Sequence, residues 1–500
     1  METDPLMPRS KLFTTLFVAL LGGAALWYMW MITSAKLEWG GDSPDQQQVG
    51  AVKDTRLRAM TQYCTGVVVT KQGTWLVGRL EGDARQLEPS ADVVDLDAVV
   101  YGKPVEDKDK EAEEPGAFSS FLPRGDNETS FISRLDAQGQ FQLVAHVSAA
   151  ACLVASADGA SVFLLTGLDR PEAPTADGIN QTVVFRSDDQ GKRWTWLAKG
   201  WFADADQLAW NLEPYFHGSD EVWAWGRPSG ADDDDGAETT GAISTGVFYS
   251  ADRGATSTPI FSTEPLLVSA EYLLDKRPEI TEWRTSEGAY GEVRTNVLQL
   301  DAQHAFIWAS QRFWGSNPDG VSDNIAFNVT TRTRLLRKAG QWRVVDVQRD
   351  DNLFIDALVQ NDAGRVMGLI DQGERGQDVV AELDTAALAW RPLGELPSVF
   401  DPLASDTRLR GGNFWVGHNS LLINTTSEHS PPRWLYWWSD ASISADGVFY
   451  SKDWGRSWHR LAIDGYLGVI GFQAEQDRVI WAKGNWFDNN DLGIYSYGLR

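Results

Sequence analysis

Three copies of one short segment constrain the fold of this 500-residue chain more than any other feature. Each copy follows a run of β-branched and aromatic residues and places Ser, Asp and Gly at alternate positions. The copies contain Ser187, Asp189, Gly191 and Trp194; Ser250, Asp252 and Gly254; and Ser451, Asp453, Gly455 and Trp458. In such a segment the carboxylate accepts hydrogen bonds from backbone amides, Gly supplies a positive φ, and Trp packs under the hairpin. Each copy therefore predicts a tight turn between two strands, although Ser257 replaces the final Trp in the second copy.

The segment resembles the Asp box, Ser-x-Asp-x-Gly-x-(Ser/Thr)-Trp, of the sialidase-like β-propellers known as BNR-repeat proteins. The resemblance covers residues 184–194, 247–257 and 448–458, and it implies an all-β fold. The first two Asp residues are 63 positions apart and the last two are 201 apart. These spacings are close to multiples of a four-stranded blade of roughly 40 to 50 residues, if the blades carry insertions. We therefore predict a β-propeller of about seven blades, within a range of about six to eight, over residues 55–500. Ile494–Tyr497 are expected to close the ring.

Beyond residue 55 the chain alternates short apolar runs with turn residues almost to its end. Val67–Thr70 and Trp75–Val77, separated by a Gly turn, are typical of a β-hairpin. Two acidic stretches, residues 105–114 and 231–238, contain almost no apolar residues and are predicted to be solvated loop insertions. The consecutive carboxylates of Asp232–Asp235 lack the alternating spacing of a calcium loop, so we predict no metal site there.

The N-terminal part contains an apolar segment, residues 12–33, in which 22 consecutive positions carry no charge. At about 1.5 Å per residue, a helix of this length spans the roughly 30 Å hydrocarbon layer of a membrane. We predict a signal anchor, that is, an uncleaved transmembrane helix. A cleaved signal peptide is the alternative, because Thr33-Ser34-Ala35 is a suitable small-residue cleavage site.

The charges beside this segment predict its orientation. Arg9 and Lys11 precede it, whereas only Lys36 follows within the next nineteen residues, so the positive-inside rule favours a cytoplasmic segment 1–11. A polar stalk over residues 34–54 would then connect the membrane to the propeller. The predicted location is the inner membrane, with a single-pass anchor and a periplasmic C-terminal domain.

Composition excludes several classes of ligand. The chain has 44 Lys and Arg against 70 Asp and Glu, a net charge of −26, which repels the phosphates of nucleic acid. Its six His and two Cys show no zinc-ligand spacing, so we predict neither a metal nor a cofactor. Cys64 and Cys152 each precede a β run, and an exported domain can oxidise them. A disulfide between them is predicted, because equivalent strands of neighbouring blades converge near the axis; two separate buried thiols are the alternative.

The resemblance to sialidases does not extend to an active site. In that family the Asp boxes lie on the rim, in enzymes and non-enzymes alike, so they indicate fold alone. Sialidases also carry an Arg-Ile-Pro signature, an arginine triad, a Tyr–Glu nucleophile pair and an Asp acid/base. No Arg-Ile-Pro occurs in this sequence, and Phe121-Leu122-Pro123-Arg124 is the nearest segment. We therefore predict no catalytic residue.

An aromatic cluster containing Trp434, Trp437 and Trp438 is the remaining candidate for binding. Exposed, these rings would stack on sugars or anchor a protein; alternation along the segment instead favours a packed strand. The preferred hypothesis is a non-catalytic propeller that recruits a basic protein partner, as an envelope assembly factor or a toxin-neutralising, immunity-type protein. The alternative is a carbohydrate-active enzyme or lectin of the sialidase-like superfamily that binds a glycan.

Overall fold

The apolar runs form thirty β-strands within the residues that the structure describes. The structure is a computed structural model, and it describes the following ranges: 22–23, 47–53, 67–79, 93–101, 130–136, 141–147, 151–156, 159–168, 181–197, 213–217, 220–226, 246–253, 256–262, 266–280, 283–284, 292–315, 325–361, 363–372, 377–397, 407–429, 443–461, 466–473, 476–485 and 488–499.

The strands form seven sheets, each of which is one blade of a β-propeller. Strand β1 (Gln47–Lys53) precedes the first blade. Blade one comprises β2 (Val67–Thr70), β3 (Gly73–Arg79), β4 (Val94–Asp95), helix α1 (Leu96–Tyr101), β5 (Ser130–Leu135) and β6 (Phe141–Val147). Blade two comprises β7 (Ala151–Ala155), β8 (Val162–Leu168), β9 (Gln181–Ser187) and β10 (Thr195–Trp196). Blade three comprises β11 (Glu213–His217), β12 (Glu221–Gly226), β13 (Gly246–Ser250) and β14 (Thr258–Ser262), followed by helix α2 (Ala270–Lys276).

The remaining four blades follow in chain order. Blade four comprises β15 (Trp283–Arg284), β16 (Glu292–Gln299), β17 (His304–Gly315), β18 (Ile325–Lys338) and β19 (Gln341–Asp350). Blade five comprises β20 (Phe354–Gln360), β21 (Val366–Asp371), β22 (Val379–Asp384) and β23 (Ala389–Glu395). Blade six comprises β24 (Thr407–Val416), β25 (Leu421–His429), β26 (Ile443–Ser451) and β27 (His459–Arg460). Blade seven comprises β28 (Tyr466–Gln473), β29 (Arg478–Asn485) and β30 (Asp488–Gly498), together with β1.

The prediction of an all-β propeller with seven blades is therefore confirmed. The three repeated turns lie in blades two, three and six, so spacings of 63 and 201 residues correspond to one blade and three blades. These spacings exceed the 40 to 50 residues expected of a minimal blade because some blades carry long connections, such as the one between Gly226 and Gly246 in blade three, whereas the strands of blade five span only Phe354–Glu395.

Strand β1 closes the ring by pairing antiparallel with β30, with Gln47 opposite Ser496 and Lys53 opposite Asp491. The prediction that Ile494–Tyr497 take part in closure is confirmed, since β30 contains them. The start of the domain differs from the prediction. Residues 47–53 belong to blade seven and not to a stalk over 34–54, because a ladder is built by backbone groups and a polar, Gln-rich segment can form one.

The core lies between the blades. The first strands of adjacent blades contact one another, as β16 does with β11 and β20, so these strands surround the axis and the last strands form the rim. Side chains of a strand alternate between its two faces, and each face of an inner strand meets a neighbouring blade. Every residue of β21 is consequently buried.

Connections alternate between the two ends of each blade, which defines two faces of the propeller. The turn face carries the turns between first and second strands and between third and fourth strands, including the repeated turns at Asp189, Asp252 and Asp453. The loop face carries the connections from second to third strand, such as the one between Asp371 and Asp378 in blade five.

The predicted transmembrane helix over residues 12–33 lies outside the described residues, apart from Gly22 and Gly23, which are helical. No helix in the described part of the chain is long and apolar enough to cross a membrane.

Candidate functional site

A buried guanidinium on the loop face joins three blades. Arg312 Nη2 of blade four lies 3.3 Å from Asp371 Oδ2 and 3.2 Å from Asp378 Oδ1, both of blade five. The side chains are only 9%, 1% and 5% exposed, respectively. The guanidinium also lies over the ring of Phe354, 4.1 Å from its centroid. Because the backbone amide of Gly411 in blade six donates to Asp378 Oδ2 over 3.1 Å, the network continues to a third blade.

Polar side chains extend this network along the interface between blades four and five, which we call the polar seam. The hydroxyls of Ser310 and Thr330 are 2.8 Å apart, and the amide of Ile355 donates to Ser310 Oγ. Asn296 donates to the carbonyl of Ile355 over 3.1 Å. The polar seam therefore satisfies backbone groups of β20 with side chains of blade four, which buried polar groups require.

The chemistry of the Arg312 cluster is limited by its pairing. A guanidinium can hold a substrate carboxylate, and two neighbouring carboxylates can act as acid and base on a glycosidic bond. Here Asp371 and Asp378 both approach Arg312 Nη2, so this nitrogen is already used in pairing blade four with blade five. The cluster is built to hold blades together.

A second cluster lies at the turn face between blades three and four, at an interface that we call the aromatic seam. Glu221 Oε1 accepts from Tyr249 Oη and from Arg337 Nη1, each over 2.5 Å, and Gln299 Nε2 donates to its other oxygen over 2.6 Å. Burial alone would raise the pKa of Glu221, but these hydrogen bonds and the Arg337 charge outweigh it and lower that pKa. Trp223 and Trp342 enclose the cluster, with ring centroids 5.2 Å apart.

The Tyr249–Glu221 pair has the residue types of a sialidase nucleophile, but its surroundings do not favour removal of the phenol proton. Burial and the hydrogen bond to Glu221 raise the pKa of Tyr249 far above its ordinary value. Glu221, the carboxylate that would have to take the phenol proton, is also bound by Arg337 and Gln299, and its lowered pKa makes it a weak general base. Tyr249 also directly precedes the repeated turn at Ser250, which places it on the turn face.

The three repeated turns share one hydrogen-bond pattern. In each, the Ser hydroxyl donates to the Asp carboxylate, over 3.2 Å at Asp189 and 2.8 Å at both Asp252 and Asp453. The amide four residues after each Asp donates back to it, over 2.9, 2.8 and 2.8 Å in the same order. Burial alone would raise the pKa of Asp453, but bonds from Ser457 and Ser451 lower it to about 2. These carboxylates hold turns together.

The copies share a backbone conformation and differ at the Trp position. The residue directly after the Asp is left-handed in all three copies, and Gly191 and Gly455 follow it with φ of 84° and 89°. The ring of Trp194 meets Trp75 of blade one edge-on at 6.1 Å, and Trp458 Nε1 donates to the carbonyl of Glu395 in blade five over 3.1 Å. The turns that retain Trp therefore tie their blade to the preceding one.

Several predicted residues cannot be placed. Cys64, Trp434, Trp437, Trp438, Gly254 and the loops 105–114 and 231–238, including Asp232–Asp235, lie outside the described residues. Cys152 lies in β7 opposite Leu165. The disulfide and the aromatic binding cluster therefore stay predictions.

Three potential metal ligands meet on blade one, although no spacing in the sequence suggested it. Parallel pairing of β4 with β6 sets Asp95 opposite His146, and with Asp97 their ligand atoms lie within 4.8 Å of one another. Asp95 Oδ1 accepts the amide of Ala98 over 3.1 Å, so this carboxylate caps helix α1. Asp95 thus has a structural role.

The outer strand of blade four exposes apolar side chains. In the described part of the chain, the exposed large hydrophobic residues are Leu274, Val344, Val345 and Val347, at 44%, 44%, 44% and 49%, and the three Val lie on β19. We call this strand, residues 341–350, the blade-four edge. It pairs with β18, and no second pairing is present among the described strands.

No protein-family model matches this chain, and no curated protein matches it. Among solved structures, it is similar to an oligogalacturonate lyase in complex with manganese, with 10% identity over 92% of this chain and 98% of that chain and a TM-score of 0.40. The oligogalacturonate lyase from Vibrio parahaemolyticus shares 8% identity over 92% of this chain and 99% of that chain, with a TM-score of 0.41. The GH93 α-L-arabinofuranosidase of Fusarium graminearum shares 10% identity over 80% and 97%, with a TM-score of 0.31. These similarities concern the fold and identify no site.

Proposed function

We propose that this propeller binds another protein and catalyses no reaction. The observation that carries the proposal is the blade-four edge, where Val344, Val345 and Val347 are exposed on an outer strand. Clustered exposed apolar residues on a soluble surface are typical of interaction sites. The two clusters with catalytic residue types support the same conclusion, since Arg312 Nη2 is paired with two carboxylates between blades and Glu221, the partner of Tyr249, is paired with Arg337.

We also propose a protein family and a cellular location for this chain. The shared bonding of the turns at Asp189, Asp252 and Asp453 supports membership of the Asp-box, BNR-repeat propellers. The apolar segment 12–33 supports a membrane anchor, with the propeller in the periplasm. A net charge of −26 favours encounter with a partner that is basic overall. An envelope assembly factor and a toxin-neutralising protein both fit this description.

The test uses the full-length protein in detergent, presented in parallel to purified basic envelope proteins and to a glycan array. We expect a protein partner whose association slows as salt rises past roughly 0.15 M, where the Debye length is about 8 Å. A salt-insensitive interaction that glycans compete would overturn the proposal.

A carbohydrate-active protein is the second candidate, favoured by one observation. Asp371 and Asp378 approach the same guanidinium nitrogen at the loop face, and a carboxylate pair is what glycosidases use. The test is turnover of a panel of aryl glycosides by the wild type and by Asp378→Asn. Our first proposal expects none from either; turnover that Asp378→Asn abolishes in a folded protein would establish the second candidate instead.

A further inference from the structure

The blade-four edge differs from the other rim strands in length and composition. It has ten residues, whereas β10 and β27 have two, β14 has five, and β1 and β23 have seven each. Strand β23 contains Pro392, which cannot donate to an added strand, and the blade-four edge contains no Pro. A long outer strand is a template for pairing with another chain unless it is protected.

Its apolar side chains continue the core to the surface. Val344 lies opposite Leu335 and Val347 lies opposite Thr333. Because Leu335 and Thr333 are fully buried, the two Val lie on the face of the sheet toward blade three. Phe261 of β14 packs partly buried against the same core. The pairing register between β18 and β19 shifts at Val345, whose side chain is the third exposed Val of this strand. An extended segment laid along β19 would cover these side chains and bury apolar surface.

The charge around the edge is opposite to that of the whole chain. Residues 332–350 contain six Arg and Lys against two Asp, in a protein with net charge −26. Arg334, Lys338, Arg343 and Arg349 are exposed. Basic side chains flanking exposed Val favour an occupant in which apolar residues alternate with carboxylates, since cross-strand pairs of opposite charge stabilise a sheet.

We propose that the blade-four edge binds an extended segment of a protein partner, rich in β-branched residues and carboxylates, which adds a strand beside β19. This inference rests on the proposed protein-binding function and specifies the partner's contact. The overall negative field would guide a basic partner, and the local positive charge would select an acidic strand within it. A second copy of this chain fits less well, because edge-to-edge pairing would bring two sets of these basic residues together.

The test measures binding of three labelled ten-residue peptides to the full-length protein by fluorescence anisotropy: alternating Val-Glu, alternating Val-Lys, and Val-Glu with a central Pro. We expect the Val-Glu peptide to bind at least tenfold more tightly than the other two. Val347→Lys should weaken it at least tenfold. Combining Lys338→Glu with Arg343→Glu should reverse the preference toward Val-Lys, an outcome that altered folding cannot mimic. Arg456→Glu, at an exposed position of blade six, is the matched control and should change nothing.

The outcomes separate this inference from the proposed function. Preference of the wild type for Val-Lys, or binding unaffected by Val347→Lys and by the charge reversal, would overturn the inference while leaving protein binding intact. A partner that binds the full chain equally well after Val347→Lys would do the same. A dimer of the wild type that Val347→Lys dissociates would assign the edge to a second copy and also overturn it. If Val347→Lys does not fold, the charge reversal decides alone.

Discussion

Blade four meets its two neighbours in different ways. At the aromatic seam with blade three, Trp223 lies 4.9 Å from Tyr249 and 5.2 Å from Trp342, measured between ring centroids, and Leu335 completes the core. At the polar seam with blade five, Arg312 and its carboxylates occupy an equally buried position. One sheet therefore combines apolar packing with a partly exposed ion pair, Arg337–Glu221, on one face and has a buried charge network on part of the other.

The difference predicts how each seam responds to mutation. Apolar packing depends on volume and tolerates swaps that conserve it. A buried charge network depends on all its members, because removing one leaves the others desolvated and unpaired. The same kind of substitution should thus have different costs at the two seams.

The largest expected effect is from Arg312→Met in the polar seam. This change leaves Asp371 and Asp378 buried without their cation, at a cost of about 3 to 5 kcal/mol in the free energy of unfolding. Chemical denaturation measures it. Combining Arg312→Met with Asp371→Asn and Asp378→Asn should recover much of the loss. A single-variant loss below about 1 kcal/mol would show that the network contributes little.

Tyr249→Phe should have the next largest effect, in the aromatic seam. It removes a hydrogen bond to a charged acceptor, Glu221, at a cost of about 1.5 to 3 kcal/mol. The matched control is Tyr272→Phe, since Tyr272 also donates to a carboxylate, Asp351, over 2.5 Å but beside a more exposed partner. Equal losses for the two variants, measured by urea denaturation, would contradict the role of burial.

Leu335→Met is the counterpart of Arg312→Met and should cost less than about 1.5 kcal/mol, because it conserves volume in an apolar environment. Leu335 is fully buried in the aromatic seam. Measured under the same conditions, a loss as large as that of Arg312→Met would remove the distinction between the two seams.

The smallest effect is a pH dependence carried by Glu221. Its pKa is lowered in the folded state, so its contribution to stability is complete above the ordinary Glu value of about 4.3 and is lost as pH falls through the lower folded pKa. Glu221→Gln should therefore be less stable than the wild type at pH 7, and the difference should shrink below about pH 4. Denaturation midpoints at pH 7, 5, 4 and 3 test this; a difference that grows in acid would be inconsistent with it.

The parts of the molecule that were predictable from sequence are those built by nearby residues. Asp453 is bonded within four residues, so the turn is visible as a motif. Arg312 finds its partners 59 and 66 positions away, and no local pattern links them. The exposure of the blade-four edge could not be predicted either, because only the sheet order shows which strand lies on the rim. Strand β1 was missed because its Gln side chains suggest a linker, whereas its pairing depends on backbone groups.

Closure of the ring by β1 and β30 determines when the fold can be completed during synthesis of the chain. Asp488 lies 435 positions after Lys53, so at about 5 to 20 residues per second β1 leaves the ribosome roughly 20 to 90 s before its partner strand can be made. Six blades can assemble during that interval, but the seventh cannot. We therefore expect the propeller to close late and in a single step. Premature termination of translation within β30 should leave β1, at the opposite end of the domain, without its partner strand.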